Sequence, residues 1–165
     1  MHDAYDVAGW ANFFVAEAGA SAALTGLLFV AVSINLAKIL QYPQLPGRAA
    51  ESLILLAGVL AASTLGLVPG QSRVALGAEL TAVASLVWLA PMAIQARSGH
   101  VAGAPLNWIL TRVATHQLAA LPSVGAAVSV LVGAGGGLYW LVPATLLSFA
   151  GSIVNAWVLL VEIQR

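Results

Sequence analysis

The chain has 165 residues, no cysteine, six Lys and Arg, six Asp and Glu, and a formal net charge of zero. Apolar residues make up 61% and charged residues only 7%, with a mean hydropathy of +0.95, against about 25% charged in an ordinary soluble domain. A water-soluble single domain is close to excluded, and a disordered chain is excluded outright.

The same arithmetic removes whole function classes. Six scattered basic residues form no patch that could neutralise a phosphate backbone, so nucleic acid is not an expected partner. Without cysteine there is no disulfide, thiolate nucleophile, iron–sulfur cluster or Cys-type zinc site.

The chain starts MHDAYD, with two aspartates and no Lys or Arg. A secretory signal needs a positive stretch ahead of its apolar run, so the first hydrophobic segment is expected to stay as a membrane span. A membrane-crossing helix needs roughly 20 apolar residues, because about 30 Å of hydrocarbon is crossed at about 1.5 Å per residue. Segment one covers 13–37, and its stretch 18–37 carries no charge. Lys38 to Arg48 contains Pro43, Pro46 and Gly47 and reads as a loop. Segment two covers 49–68 and stops at Pro69-Gly70. Segment three covers 74–96, between Arg73 and Arg97, with Glu79 inside it. After the loop RSGHVAGAP, no Asp, Glu, Lys or Arg occurs from Val113 to Val161. The run Gly133-Ala134-Gly135-Gly136-Gly137 divides that stretch into segment four, 106–132, and segment five, 138–161.

No stretch alternates with period two as a barrel strand does. In lipid the backbone must satisfy its own hydrogen bonds, so the segments are expected to be α-helices. The expected fold is therefore all-α: one membrane domain over residues 1–165, a polytopic helical bundle with five transmembrane helices. Pro91, Pro122 and Pro143 fall inside spans three to five, and Pro122 frees the carbonyl of Leu118 near mid-span. With the N-terminus outside, the inner side holds Lys38, Arg48, Arg97 and Arg165 and the outer side only Arg73, so N-out, C-in is expected. Trp10, Trp108 and Trp140 fall near span ends, where interfacial aromatics belong.

Rows of small residues recur at i, i+4 spacing. They are Ala18, Ala22 and Gly26; Gly58, Ala62 and Gly66; Gly125, Ser129 and Gly133; and Ala144, Ser148, Ser152 and Ala156. Such rows let helix backbones approach closely, either within one chain or between copies, and a homo-oligomer is expected.

Ionisable groups inside spans are the default functional candidates, since each costs at least ~2.5 kcal/mol at mid-span. Glu17 and Glu79 lie at similar depth near the outer side, on different helices. Glu17, Ser21 and Thr25 share one face of segment one. Two carboxylates with hydroxyl oxygens could bind a hard cation or share a proton; otherwise Glu17 is interfacial and Glu79 a hydrogen-bonded packing acid. On the inner side Arg112 and His116 stand at i, i+4, with Asn107, Thr111 and Thr115 along a neighbouring stripe, Glu51 opening segment two and Asn155 in segment five. Arg112 is expected to snorkel to the headgroups, with an Arg112–Glu51 pair as the geometric alternative. His116 as a haem ligand or proton relay is a third reading, but no second His stands at ligand spacing.

Two apparent motifs carry no chemistry. Gly133 to Gly137 is not a dinucleotide fingerprint, because position 138 is Leu and the run follows a helix. Ser21 and Ser123 have no His-plus-acid arrangement around them, so no enzymatic activity is expected.

The stretch FFVAEAGASAALTGLLFVAVSINL, followed by LPGRAAESLILLAGVL and LVPGQ, resembles a set of small multi-pass bacterial membrane proteins of unassigned activity, some labelled membrane-protease modulators. The resemblance covers about residues 13–71 and implies a protein of the bacterial cytoplasmic membrane. It brings no catalytic or binding residues. Two functions are thus expected as alternatives: a small cation or proton pathway around Glu17 and Glu79, or a non-conducting accessory or scaffold protein acting on itself or another membrane protein through helix contacts. Neither needs a cofactor.

Overall fold

The computed structural model describes residues 4–98 and 106–164; for 98, 106–109, 111 and 162–164 the backbone alone is described. The expected RSGHVAGAP loop therefore lies largely outside the described residues, as do the side chains of Asn107, Trp108 and Thr111. The described chain is all-helical. A 3₁₀ turn, Val7–Trp10, leads into α1 (Ala11–Ile34), a short α2 (Leu36–Ile39), α3 (Leu45–Gly66), α4 (Arg73–Ser98) and α5 (Leu106–Val132). A second 3₁₀ turn, Gly137–Trp140, then leads into α6 (Leu141–Gln164). All but α2 are long and apolar enough to cross a membrane, with mean hydropathies between 1.4 and 1.9.

The helix ends follow local chemistry. Asn35 ends α1 by turning its side-chain amide back onto the Ala31 carbonyl at 2.9 Å, and the chain bends into α2. The stretch expected as a loop is shorter than its prolines suggest. Lys38 sits in α2, and Pro46, Gly47 and Arg48 lie in the first turn of α3. Proline is tolerated there because first-turn N–H groups have no helical partner. The same reason removes Pro143 as a kink: α6 begins at Leu141, so Pro143 is in its first turn. Pro91 and Pro122 do lie inside α4 and α5.

Ser72 starts α4 by accepting the Ala75 N–H at 3.1 Å. Between α5 and α6 the glycine run makes a turn tied to Ser129, whose hydroxyl donates to the Ala134 carbonyl at 2.5 Å and accepts from the Gly137 N–H at 2.7 Å. The Ala4 carbonyl accepts from Leu138 N at 2.8 Å. A Cβ on Gly137 would collide with that carbonyl, so glycine is required for the N-terminal segment to lie here.

Helix α3 is the hub. It packs on α1, α4 and α6, while α5 packs on α4 and α6. Helices α3 to α6 thus close a four-helix ring, with α1 laid on the outside of α3. The largest apolar cluster, including Phe14, Leu76, Leu80, Ala126, Val130 and Leu138, fills the end that carries the N-terminus. Ile39, Leu45, Ala49 and Leu159 fill the far end, where α2 folds over.

The small residues of α3 are consumed inside the chain. A Cβ on Gly58 would collide with the Val87 side chain of α4, and one on Gly66 would stand 2.6 Å from the Phe14 ring of α1. Ala62, between them, packs against the same apolar cluster as Phe14. The row on α1 behaves differently. Ala18 is half-buried, Ala22 and Gly26 are exposed, and nothing lies within 4 Å of the Cβ position at Gly19 or Gly26.

Candidate functional site

The antiparallel ring brings the first turns of α3 and α5 beside the last turns of α6. Polar residues from three helices meet there, among them Glu51 on α3, Arg112 on α5 and Asn155 on α6. Arg112 donates through Nε to Glu51 Oε2 at 3.3 Å and through Nη2 to Glu51 Oε1. The side chains are 6% and 3% exposed. This corrects the expected snorkelling of Arg112. Reaching the headgroups relieves a lone arginine, but a carboxylate reaching across the ring from α3 offers its guanidinium fork two charge-assisted bonds without leaving the protein.

The cluster extends beyond that pair. Arg48, also buried, donates to Asn155 Oδ1 at 3.5 Å, linking α3 to α6. Ser152 Oγ on α6 donates to the Ser52 carbonyl of α3 at 3.3 Å. Trp88 Nε1 on α4 donates to Gln117 Oε1 on α5 at 2.8 Å. His116 Nε2 meets the Trp88 carbonyl at 3.3 Å, while His116 Nδ1 is buried with no hydrogen-bond partner. Each helix of the ring is therefore tied to a neighbour by a polar contact, and Arg112, His116, Glu51 and Asn155 border one small space of about 10 Å³. His116 Nε2 is engaged by a backbone carbonyl, the space beside the ring is only about 10 Å³, and no group of three or more His, Asp or Glu suited to a metal occurs among the described residues.

Sequence reading missed Arg48, because a charge at the edge of a proline-containing segment looks like a loop charge. It also missed Trp88–Gln117. A glutamine two-fifths of the way along an apolar helix was the available signal.

The two candidate carboxylates lie at the other end. Glu79 on α4 accepts from Gln71 Nε2 in the α3–α4 turn. Glu17 on α1 is half-buried, and its Oε2 is buried without a partner. Helices α1 and α4 both pack on α3 and are not among the closely packed pairs. Ser21 is fully buried and donates to the Glu17 and Ala18 carbonyls at 2.6 and 3.2 Å. Thr25 donates to the Ser21 carbonyl at 2.7 Å. Both hydroxyl protons are thus spent on the helix's own backbone, leaving only oxygen lone pairs for a ligand. Near this end a cavity of about 420 Å³ is bordered by Tyr5, Asp6, Gly70, Gln71 and Arg73. Arg73 closes the end of α5 by donating to the Val130 and Leu131 carbonyls at 3.0 and 3.4 Å.

Comparison with family models, with curated proteins and with solved structures finds no match to this chain.

Proposed function

We propose that this chain is a non-catalytic scaffold of the bacterial cytoplasmic membrane, crossing it five times with the N-terminus outside, and acting by docking α1 onto a second copy. One observation carries the reading. Helix α1 packs on α3 along one side and leaves a continuous face of small residues, Gly19, Ala22, Ala23 and Gly26, open between larger apolar side chains such as Leu27 and Phe29. A small-residue face lets a second helix come close enough for backbone van der Waals contact, which drives association in lipid. The ring interior supports the same reading, since the space along its axis, bordered by Ser123, Thr145 and Ser148, amounts to about 20 Å³.

The cysteine-free sequence makes the test clean. Gly26→Cys, oxidised in native membranes, is expected to give a disulfide-linked dimer, and Ala62→Cys, on the packed side of α3, is not. If Gly26→Cys and Ala22→Cys both stay monomeric under oxidation, the α1 docking reading fails.

A second reading is favoured by Glu17. A buried carboxylate oxygen without a partner is the feature expected of a cation or proton site. In that reading Glu17 and Glu79 hold the ion or proton, with Ser21 and Thr25 lending lone pairs.

A further inference from the structure

His116 presents a problem that the polar cluster does not solve by itself. Its Nε2 meets the Trp88 carbonyl at 3.3 Å. A carbonyl only accepts, so Nε2 carries the hydrogen of that bond. In the neutral ring Nδ1 then holds a lone pair, and the residue is 5% exposed with Nδ1 unpartnered. Buried acceptors left unpaired are rare because the desolvation loss has no return.

The ring also borders the small space between α3, α5 and α6. That space measures about 10 Å³, close to the minimum that admits one water. Its walls are Glu51, Arg112, Thr115, His116 and Asn155, with Leu55 and Gly151 as the only apolar ones. A buried water needs two to four polar partners, about the number that this wall supplies. Spaces that stay dry in proteins are lined by carbon. This one is lined by donors and acceptors, one of them unsatisfied.

We infer that the space is a binding site for a single water molecule, which donates to His116 Nδ1 and to an acceptor on the opposite wall. The water completes the polar cluster. It joins α5, through His116, to the Glu51 and Asn155 side of α3 and α6, while Nε2 holds α4. All four helices of the ring then meet in one hydrogen-bonded network. The site is independent of the α1 contact, so either can fail alone.

Gly151 offers the test. A Cβ there would meet only Leu55 Cδ1, at 3.6 Å, an ordinary contact. Alanine therefore fits against the apolar part of the wall and takes up room in the space. If the space is dry, Gly151→Ala gains helix propensity and packing, and the purified protein melts at a higher temperature. If it holds the water, Gly151→Ala expels it, leaves Nδ1 unpaired and lowers the melting midpoint. In a His116→Phe background, which has no Nδ1 to satisfy, Gly151→Ala is expected to raise the midpoint. This reversal of sign is the predicted result, and stabilisation by Gly151→Ala in both backgrounds overturns the proposal. Should His116→Phe not fold, the wild-type protein decides the matter. Solid-state NMR of ¹⁵N-histidine-labelled protein in bilayers is expected to show transfer from a long-lived water proton to His116 Nδ1. A signal from Nε2 with no water transfer at Nδ1 overturns the site.

Discussion

Arg112 on α5 and Glu51 on α3, 61 residues apart in sequence, meet through both arms of the guanidinium fork in a place where neither side chain is more than 6% exposed. A pair so buried is asymmetric in its energetics. Forming it returns little net stability, because each ion loses its water, but removing one partner strands the other charge in an apolar interior. Arg112→Met or Glu51→Leu alone is expected to cost about 3–5 kcal/mol. The double change Arg112→Met with Glu51→Leu is expected to cost much less than the two together. Unfolding in mixed micelles measures all three. Strictly additive losses would show that the two residues are not coupled.

Gly58 sets the distance between α3 and α4 through its contact with Val87. Gly58→Ala is expected to force the helices apart and destabilise the folded monomer by about 1–3 kcal/mol, the usual cost of overpacking. Val87→Ala, which clears the methyl in the way, is expected to recover much of that loss in combination. The crosslinking yield of Gly26→Cys is expected to stay unchanged by Gly58→Ala, because the α3 face points into the chain. A fall in crosslinking at constant fold would instead place α3 at the contact between copies.

Much of this fold is legible in composition alone. Apolar runs of about twenty residues mark the five helices long and apolar enough to cross a membrane, and Pro69-Gly70 and the run 133–137 mark two of the turns. What the chain hides is which neighbour each face meets. The rows at Gly58 and at Gly26 look alike as strings, yet one is pressed against Val87 and the other meets nothing. Partnership between charges is hidden for the same reason. Arg112 has the spacing of an interfacial arginine, and only the ring, in which α3 and α5 run parallel with their first turns at one end, brings Glu51 within reach of it. Prolines mislead where they fall in a first turn, as Pro46 and Pro143 do, because the missing N–H costs nothing there.

The proposed orientation rests on the basic residues. Five crossings would place the termini on opposite sides, and Lys38, Arg48 and Arg97 collect at the end away from the N-terminal turn. Reporter fusions at Asp3 and Arg165 are expected to report outside and inside respectively. Finding both on one side would reduce the number of crossings to an even one. Finding them exchanged would keep the five crossings and invert the protein.

The carboxylates at the N-terminal end separate the two functional readings. Glu79 has Gln71 as its partner, whereas Glu17 has a buried oxygen with none. Glutamine at either position keeps size and most hydrogen bonding while removing the charge that an ion site requires. In the scaffold reading Glu17→Gln folds as well as wild type or better, crosslinks equally through Gly26→Cys, and changes no flux because there is none to change. In the pathway reading purified wild-type protein carries protons or alkali cations into liposomes, Glu17→Gln reduces that flux sharply, and Glu79→Gln reduces it too if the two share the ion. Relief from the unpaired charge makes the stability result the same in both cases, so flux is the measurement that decides. Liposomes that hold a proton gradient and a potassium gradient equally well with and without the wild-type protein, from mildly acidic to neutral pH, would eliminate the pathway. Flux that survives both substitutions would also clear the carboxylates of the role and send the search to the cluster around His116.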